Sequence, residues 1–128
     1  MPITNFEFVK VSVEKKGKEI PKNIKVEHRS SIRKIEKSGK NSVSVHFSFE
    51  TSYSPDVANF LIEGIITLKD TSIERIVGGS GKDLRLKPRY TETVQNAIIR
   101  ACLLLELILA REMRLPLPIS LPVVKLEK

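Results

Sequence analysis

Few residues in this chain carry side chains whose spacing suggests chemistry, and a glycine-rich loop at 78–83 is the first candidate. A loop of this kind can cradle phosphate through its backbone amides, but the Walker pattern needs glycine where Ile76 stands and serine or threonine where Asp83 stands. A nucleophile elbow is also excluded, because Lys82 occupies the position of its final glycine. The loop is therefore interpreted as a flexible turn.

Two histidines, one cysteine and two carboxylates are the other candidates. His28 and His46 are predicted to face each other across a hairpin, but a catalytic zinc ion needs a third protein ligand and no ligand-spaced cluster contains either histidine. Cys102 lies in an apolar segment, which suppresses thiol reactivity and favours a packing role. Glu63 and Glu106 are expected at an exposed edge or paired across an interface. We expect no metal, no other cofactor and no enzymatic activity.

The charge of the chain is concentrated in one segment. Residues 10–40 hold eleven basic and four acidic side chains, which accounts for the whole net charge of +7. Such a segment can bind phosphate by counterion release, but it contains no aromatic side chain for base stacking. Non-specific nucleic-acid binding through 10–40 is therefore an alternative function. The predicted basic patch consists of Lys15, Lys16, Lys18, Arg33, Lys34 and Lys37.

Length and composition predict a single folded domain over residues 1–128. A hydrophobic fraction of 41% and a charged fraction of 29% argue against disorder, and the scarcity of glutamine beside many Lys and Glu residues is a hint of a thermophile. One cysteine and an N-terminus without a signal-peptide pattern favour the cytoplasm. The longest apolar stretch, 97–110, is too short to span a membrane and contains Arg100 and Glu106, so no membrane insertion is expected.

A hairpin is the clearest structural signal. In segment 42–50 every odd-numbered residue is apolar and every even-numbered residue is polar, which is typical of a half-buried strand. Segment 24–32 alternates in the same way, and a turn at 37–41 joins the two, while a loop is predicted over 52–56. The predicted core face of segment 42–50 consists of Val43, Val45, Phe47 and Phe49.

Two further strands are predicted at 5–14 and 59–69. The first changes phase between Phe8 and Val9, which predicts a β-bulge. The second is apolar on both sides and is expected to be buried on both. Its two predicted apolar faces are Phe60, Ile62, Ile66 and Leu68 on one side and Leu61 and Ile65 on the other.

A long helix is predicted over 92–114, with Thr91 as its N-cap. Between 101 and 110 only Glu106 is polar, so the apolar surface extends around the helix and a small sheet cannot cover it. We therefore expect a homo-oligomer, a dimer or a tetramer. Its predicted helix interface consists of Leu104, Leu105, Ile108 and Leu109. After the helix, Pro116, Pro118 and Pro122 predict an extended apolar tail.

The order of these elements resembles the SecB-like protein-export chaperones. The residues that carry the resemblance are Glu63-Gly64-Ile65-Ile66-Thr67, a glycine-centred apolar strand ahead of the helix, and the closing Pro-Leu-rich segment 115–123. The resemblance is to a divergent, archaeal or thermophile-type member. It implies an α+β fold with a four-stranded antiparallel sheet, a long C-terminal helix and an extended Pro-rich tail, and dimers that assemble into tetramers.

The function that the resemblance implies is ATP-independent holding of unfolded or extended polypeptides, with export as one setting. The apolar tail and strand are the expected contact surface for such clients. A structural oligomerisation protein without a free groove is the remaining alternative, because most apolar stripes belong to a core. The predicted client-binding residues are Leu115, Leu117, Ile119, Leu121, Val123 and Ile65.

Overall fold

A computed structural model of the chain describes residues 3–17, 23–79 and 83–118. Four long strands form one antiparallel sheet with the spatial order β1-β4-β3-β2, and a single long helix follows them, which confirms the predicted α+β fold. The elements are β1 (Ile3–Lys15), β2 (Lys25–Gly39), β3 (Ser42–Ser54), β4 (Ala58–Lys69), a short 3₁₀ turn (Ile73–Arg75), β5 (Val77–Gly78), β6 (Arg85–Leu86) and α1 (Pro88–Glu112).

The core lies on one face of the sheet, between the two central strands and α1. The alternation of β3 predicted this face correctly, since its odd-numbered residues from Val43 to Phe49 are fully buried. On β4 the residues of the same face are buried, whereas Leu61 and Ile65 on the opposite face are only half-buried. The prediction that this strand is buried on both sides is therefore wrong in the isolated protomer, because none of the described residues forms a second layer over the outer face.

Both edge strands carry a bulge. The register between β1 and β4 shifts between Phe8 and Lys10, which confirms the predicted bulge at Val9. The register between β2 and β3 shifts between Ile32 and Lys34, so that Arg33 is the extra residue there. A bulge re-aims the side chain that it carries, and both bulges lie on strands that form the borders of the sheet.

The hairpin is longer than the alternation suggested. Strand β2 continues to Gly39 and β3 to Ser54, so Tyr53 lies in a strand rather than in the predicted loop. The extra residues pair across the hairpin, as in Tyr53 with Val26 and Ile35 with Val45, with register shifts at Arg33 and between Lys37 and Gly39. Pairing across the sheet therefore carries these strands through residues whose own pattern is too polar to indicate one.

Helix α1 begins at Pro88, four residues before the predicted start. Proline suits the first turn of a helix, where its missing N–H would have no partner, and Lys87 before it is extended. Thr91 therefore lies inside the helix rather than at its cap. Every fourth residue faces the sheet and is buried, and this row consists of Tyr90, Val94, Ile98, Cys102, Glu106 and Ala110.

The solvent side of α1 changes character along its length. It is polar at Glu92 and Asn96 but apolar at Leu104 and Ile108, whose side chains are 63% and 58% exposed. By length and composition alone the 25-residue helix could cross a membrane, and 28% of its most apolar window is buried. The helix is therefore longer than the predicted apolar stretch 97–110, and its second half exposes apolar side chains.

Gly64 should be intolerant of any side chain. A Cβ atom at this position would lie 2.5 Å from the carbonyl oxygen of Glu7 and 2.6 Å from the ring of Phe47. We expect Gly64→Ala to lower the free energy of unfolding by about 1–3 kcal/mol, because neither the backbone nor a buried ring can move aside. Gly39→Ala is the matched control, with its nearest atom at 3.5 Å. Equal stability of the two variants in urea unfolding at one protein concentration would contradict this packing.

Candidate functional site

The two edges of the sheet are the surfaces at which another chain can add. Among the described residues, no strand pairs with the outer side of β1 or of β2. An unpaired strand edge presents a row of N–H and C=O groups that can pair with an extended segment. The two edges differ in the side chains that accompany these backbone groups.

The β1 edge is apolar. Phe8, Val9 and Val11 are all exposed, although each is a residue type that is normally buried. Helix α1 lies mainly over β2, β3 and β4, so it does not shield the helix side of this edge. Exposed apolar side chains beside an unpaired strand edge favour contact with another chain.

The β2 edge is bordered by a groove of ≈ 560 Å³. Ile32 and Ile35 point to the helix side and are half-buried against the core, and Leu84 forms the opposite wall. An apolar floor beside an open strand edge can receive every second side chain of an added strand. The remaining lining residues of this β2 groove are Arg33, Lys34, Glu36 and Lys37.

The β2 groove is positively charged. Lys34 Nζ lies 3.2 Å from a carboxylate oxygen of Glu36, whose other oxygen is 3.0 Å from His46 Nε2. Hydrogen bonds from His46 and then Lys34 hold the pKa of Glu36 below its usual value, so that this carboxylate stays charged. Among the described residues, Arg33 and Lys37 make no ion pair. The groove therefore favours segments that carry acidic residues.

The C-terminal tail lies across the other end of β2. The Tyr53 hydroxyl donates to the carbonyl oxygen of Pro116 at 2.6 Å, and His28 Nε2 lies 2.9 Å from the carbonyl oxygen of Pro118. Leu117, between these two anchors, is 41% exposed, whereas Leu115 is buried. The tail thus passes from the helix end to the β2 edge on the core side of the sheet.

A row of hydrogen bonds from the buried Glu106 through Thr51 to the exposed His28 supports this anchor. The Thr51 hydroxyl donates to the two carboxylate oxygens of Glu106 at 2.7 and 2.9 Å, and its oxygen is 2.8 Å from His28 Nδ1. Glu106 is completely buried, and burial raises its pKa to about 7. The expectation that Glu106 lies at an edge or an interface is therefore wrong, because its partner is on β3 of the same chain.

The sequence contains a signal for the hydrogen bonds between Glu106, Thr51 and His28. Thr51 continues the odd-numbered phase of β3, which is apolar from Val43 to Phe49, and so places a hydroxyl on the core face. His28 falls on the same face of β2, opposite Thr51. A polar residue in a core phase indicates a buried hydrogen-bond partner, and the one polar residue in the apolar half of the helix is Glu106.

The histidines do not form the predicted pair. His28 lies on the core face, stacked on Phe49, while His46 is on the outer face with Glu36. No group of three or more potential metal ligands occurs in the part of the chain that the structure describes. Cys102 is buried, and burial raises its pKa to about 12, so its predicted packing role is confirmed.

The predicted basic patch is divided between the two ends of the sheet. Lys15 donates to the carbonyl oxygen of Met113, and Lys16 is 3.0 Å from Asp56. These residues lie at the level of Val26 in β2, about 30 Å along the strand from Ile35 at a rise of about 3.3 Å per residue. Lys18 lies outside the described residues. The other members, Arg33, Lys34 and Lys37, belong to the β2 groove.

The predicted client-binding residues are also separated. Ile65 lies on the outer face, in a groove of ≈ 360 Å³ that Val9 and His46 also line, while Leu117 is on the core side. Leu115 belongs to a core cluster with Tyr53, so it offers no free surface in the protomer. Three of these residues, Ile119, Leu121 and Val123, lie outside the described residues.

The predicted helix interface contains two kinds of residue. Leu104 and Ile108 point to solvent, whereas Leu105 and Leu109 are half-buried against the protomer's own core. A partner molecule would therefore meet the first pair directly. Leu105 and Leu109 act mainly in folding.

The fold of the sheet and helix is similar to that of a solved structure. The chain is similar to the SecB-like chaperone Rv1957 of Mycobacterium tuberculosis, solved in complex with a ChAD peptide from the Rv1956 HigA1 antitoxin. The TM-score is 0.66, and the match covers 98% of this chain and 91% of the other at 12% sequence identity. The fold is SecB-like. No protein-family model matches the sequence, and no curated protein matches it.

Stability should fall as the pH rises through neutrality. Burial raises the pKa of Glu106 from 4.5 to about 7, so the folded protein holds a proton that the unfolded chain releases. This contribution is complete below pH 4.5 and is lost as the pH passes 7, a change of up to about 3 kcal/mol in the free energy of unfolding.

Urea unfolding at several pH values measures this change, with Glu106→Gln as the matched control. The glutamine keeps a hydrogen bond to Thr51 but cannot ionise, so its profile should be much flatter over the same range. A wild-type stability that increases between pH 4.5 and 7, or equal slopes in both proteins, would show that Glu106 does not hold this proton.

Proposed function

We propose that this protein is a SecB-like, ATP-independent holdase chaperone that binds unfolded or extended polypeptides along the β2 edge. The observation that carries the proposal is a groove with an apolar floor beside the β2 edge, which is unpaired and carries basic side chains without ion pairs among the residues that the structure describes. Backbone pairing supplies affinity for any extended segment, while Ile32, Ile35 and Leu84 receive its apolar side chains. Arg33 and Lys37 favour segments in which acidic residues alternate with apolar ones.

The solved structural neighbour supports a polypeptide partner, because that chaperone was solved with a peptide bound. We place the present protein in the cytoplasm, without membrane insertion and without catalysis. The buried carboxylate of Glu106 and its bonds to the sheet favour packing of α1 on protein over transfer into lipid. Leu117, exposed beside the anchored tail, is the described tail residue that extends the proposed contact surface.

We also propose that the protein assembles into a homo-oligomer, a dimer or a tetramer. Leu104 and Ile108 expose the apolar half of α1, and Phe8, Val9 and Val11 expose the β1 edge. Lysine-rich edges resist pairing with copies of themselves, whereas apolar edges favour it. The β1 edge and the helix are therefore assigned to assembly, which leaves the charged β2 edge for clients.

Nucleic-acid binding is supported less well than client binding. The basic residues of the predicted patch are divided between the two ends of the sheet, and Lys16 is already paired with Asp56. Any binding to nucleic acid should therefore be weak, non-specific and lost at raised salt.

Reversing charge in the β2 groove should weaken client binding. In Arg33→Glu/Lys37→Glu, we expect the Kd for a fluorescent peptide of alternating apolar and acidic residues to rise about 10-fold, since each lost ion pair contributes about 0.2–1 kcal/mol and repulsion adds to the loss. The control Arg75→Glu/Arg89→Glu changes the net charge equally at exposed residues outside the groove.

Suppression of client aggregation by the wild type should be the same with and without ATP, because the sequence has no phosphate-binding loop. In the peptide-binding experiment, an equal loss of affinity in Arg33→Glu/Lys37→Glu and in its control would indicate non-specific attraction. No suppression for several unrelated clients at stoichiometric excess would reject the holdase function.

Leu104→Lys/Ile108→Lys should dissociate the assembly. Both side chains are largely exposed in the protomer, so the substitutions should leave its fold intact while placing two charges in the proposed interface. Full burial of one leucine is worth roughly 1.5–3 kcal/mol, so the effect should be visible at micromolar concentration. The control Asn96→Lys lies on the same exposed row nearer the helix start. A wild-type protein that is monomeric by light scattering at that concentration would contradict the assembly.

A further inference from the structure

The hydrogen bonds that join Glu106, Thr51, His28 and Pro118 limit where their protons can lie. A carbonyl oxygen can only accept a hydrogen bond, so the contact of 2.9 Å between His28 Nε2 and Pro118 requires a proton on Nε2. The next contact joins His28 Nδ1 to the Thr51 oxygen, and the last joins Thr51 to Glu106. Thr51 brings a single hydroxyl proton to these two contacts.

Two proton arrangements satisfy every contact. In one, Glu106 is a carboxylate that accepts from Thr51, and His28 is doubly protonated and donates from both ring nitrogens. In the other, Glu106 is a carboxylic acid that donates to Thr51, Thr51 donates to Nδ1, and His28 is neutral with its proton on Nε2. Both arrangements contain the same number of protons and no net charge. All of these hydrogen bonds can therefore form only while Glu106 and His28 share one proton more than an ionised Glu106 and a neutral His28 would hold.

Loss of that proton removes one of the bonds. With Glu106 as a carboxylate, the Thr51 hydroxyl donates to it in a charge-assisted bond. The Thr51 oxygen is buried, so it keeps Nδ1–H of His28 as its donor, which leaves a lone pair on Nε2. Two acceptors then face each other at His28 and Pro118. The bond that breaks is the outer one, because His28 is exposed and its ring can exchange Pro118 for water.

Other titratable groups surround the hydrogen bonds that join Glu106, Thr51 and His28. Tyr53 on β3 and Cys102 on α1 face Glu106, and burial, with a smaller effect of Glu106, raises the pKa of each to about 12. Strand β4 contributes the apolar Phe60 opposite Thr51, and on β1 Lys15 is bound to the carbonyl oxygen of Met113. The charged side chains that line a groove with His28 are Glu27, Arg29 and Glu50.

We propose that Glu106, Thr51 and His28 form a proton-dependent latch that holds the tail at Pro118 and releases it when the shared proton is lost. The release should occur around pH 7, because burial raises the pKa of Glu106 to about 7. Tyr53 continues to hold Pro116, so the change among the described residues is confined to Leu117 and Pro118. One consequence rests on the proposed function: if the β2 edge binds clients, the latch sets the position of Leu117 beside the bound segment.

The histidine tautomer in the full-length protein tests the latch directly. Nitrogen-15 NMR of the imidazole rings should show His28 protonated on Nε2 at pH 6 and on Nδ1 at pH 8.5, and the tail methyl groups of Leu117 should be released about five- to tenfold more often at the higher pH. His46, on the outer face, is the internal reference. In Glu106→Gln the amide donates to Thr51 at every pH, so His28 should keep Nε2–H and the tail should stay held at pH 8.5.

A second variant separates the latch from a general loosening of the core. Thr51→Val removes the relay without changing side-chain size, so the His28 tautomer should become independent of the residue at position 106. Retention of Nε2–H by wild-type His28 at pH 8.5, or the same tautomer change in Glu106→Gln, overturns the proposal. These readouts need no client. If the tautomer changes as expected but the protein has no holdase activity, only the proposed function is rejected. If the protein has holdase activity but the tautomer does not change, only the latch is rejected.

Discussion

The hydrogen bonds between Glu106 and Thr51 fix where helix α1 lies on the sheet. The rest of the buried helix row is aliphatic, aromatic or a thiol, and such contacts tolerate small shifts as long as volume is preserved. A buried carboxylate tolerates far less, because a displaced Glu106 would lose both bonds while still out of water. One polar pair thus determines which helix row faces the sheet. It also determines that Leu104 and Ile108 face outward and that the tail leaves the helix beside Tyr53 and His28.

The placement of the helix leaves the two sheet edges with different side chains, to which we assign different proposed roles. The helix covers the three strands from β4 to β2 more than it covers β1, so the apolar residues of the β1 edge remain exposed. At the β2 edge, basic residues lie along the strand, and the bulge at Arg33 places its charged side chain in the lining of the β2 groove. Like charges oppose pairing between two β2 edges, while an acidic extended segment meets no such opposition. Under the proposed function, the sheet binds its own copy at one edge and a different chain at the other.

Much of the fold was accessible from the sequence. The alternation of residues 42–50, the phase change at Phe8 and Val9 and the apolar helix are local patterns, and the structure contains each of them. The hairpin length was less accessible, because residues such as Ile35 and Tyr53 extend their strands through cross-strand pairing. The predicted helix start is four residues too late, because Pro88 is a first-turn residue that precedes the apolar periodicity of the helix.

The candidate site was harder to derive. Residues that are close in sequence, such as Lys16 and Arg33, lie at opposite ends of the sheet, and His28 and His46 lie on opposite faces. Register decides which face of the sheet each histidine occupies, and a shift of one residue would reverse it. The β2 groove also depends on Leu84, which reaches β2 from a different part of the chain. No local pattern links that residue to Ile32 and Ile35.

The most direct test of the account is a map of backbone amide exchange with and without a bound peptide of alternating apolar and acidic residues. Strand addition at the β2 edge predicts that every second amide of β2 becomes protected, namely those whose N–H points away from β3. The outward amides of β1 should stay unchanged by the peptide, because that edge is assigned to assembly. Protection confined to β1, or to the outer face around Ile65, would contradict the assignment of the client site to β2.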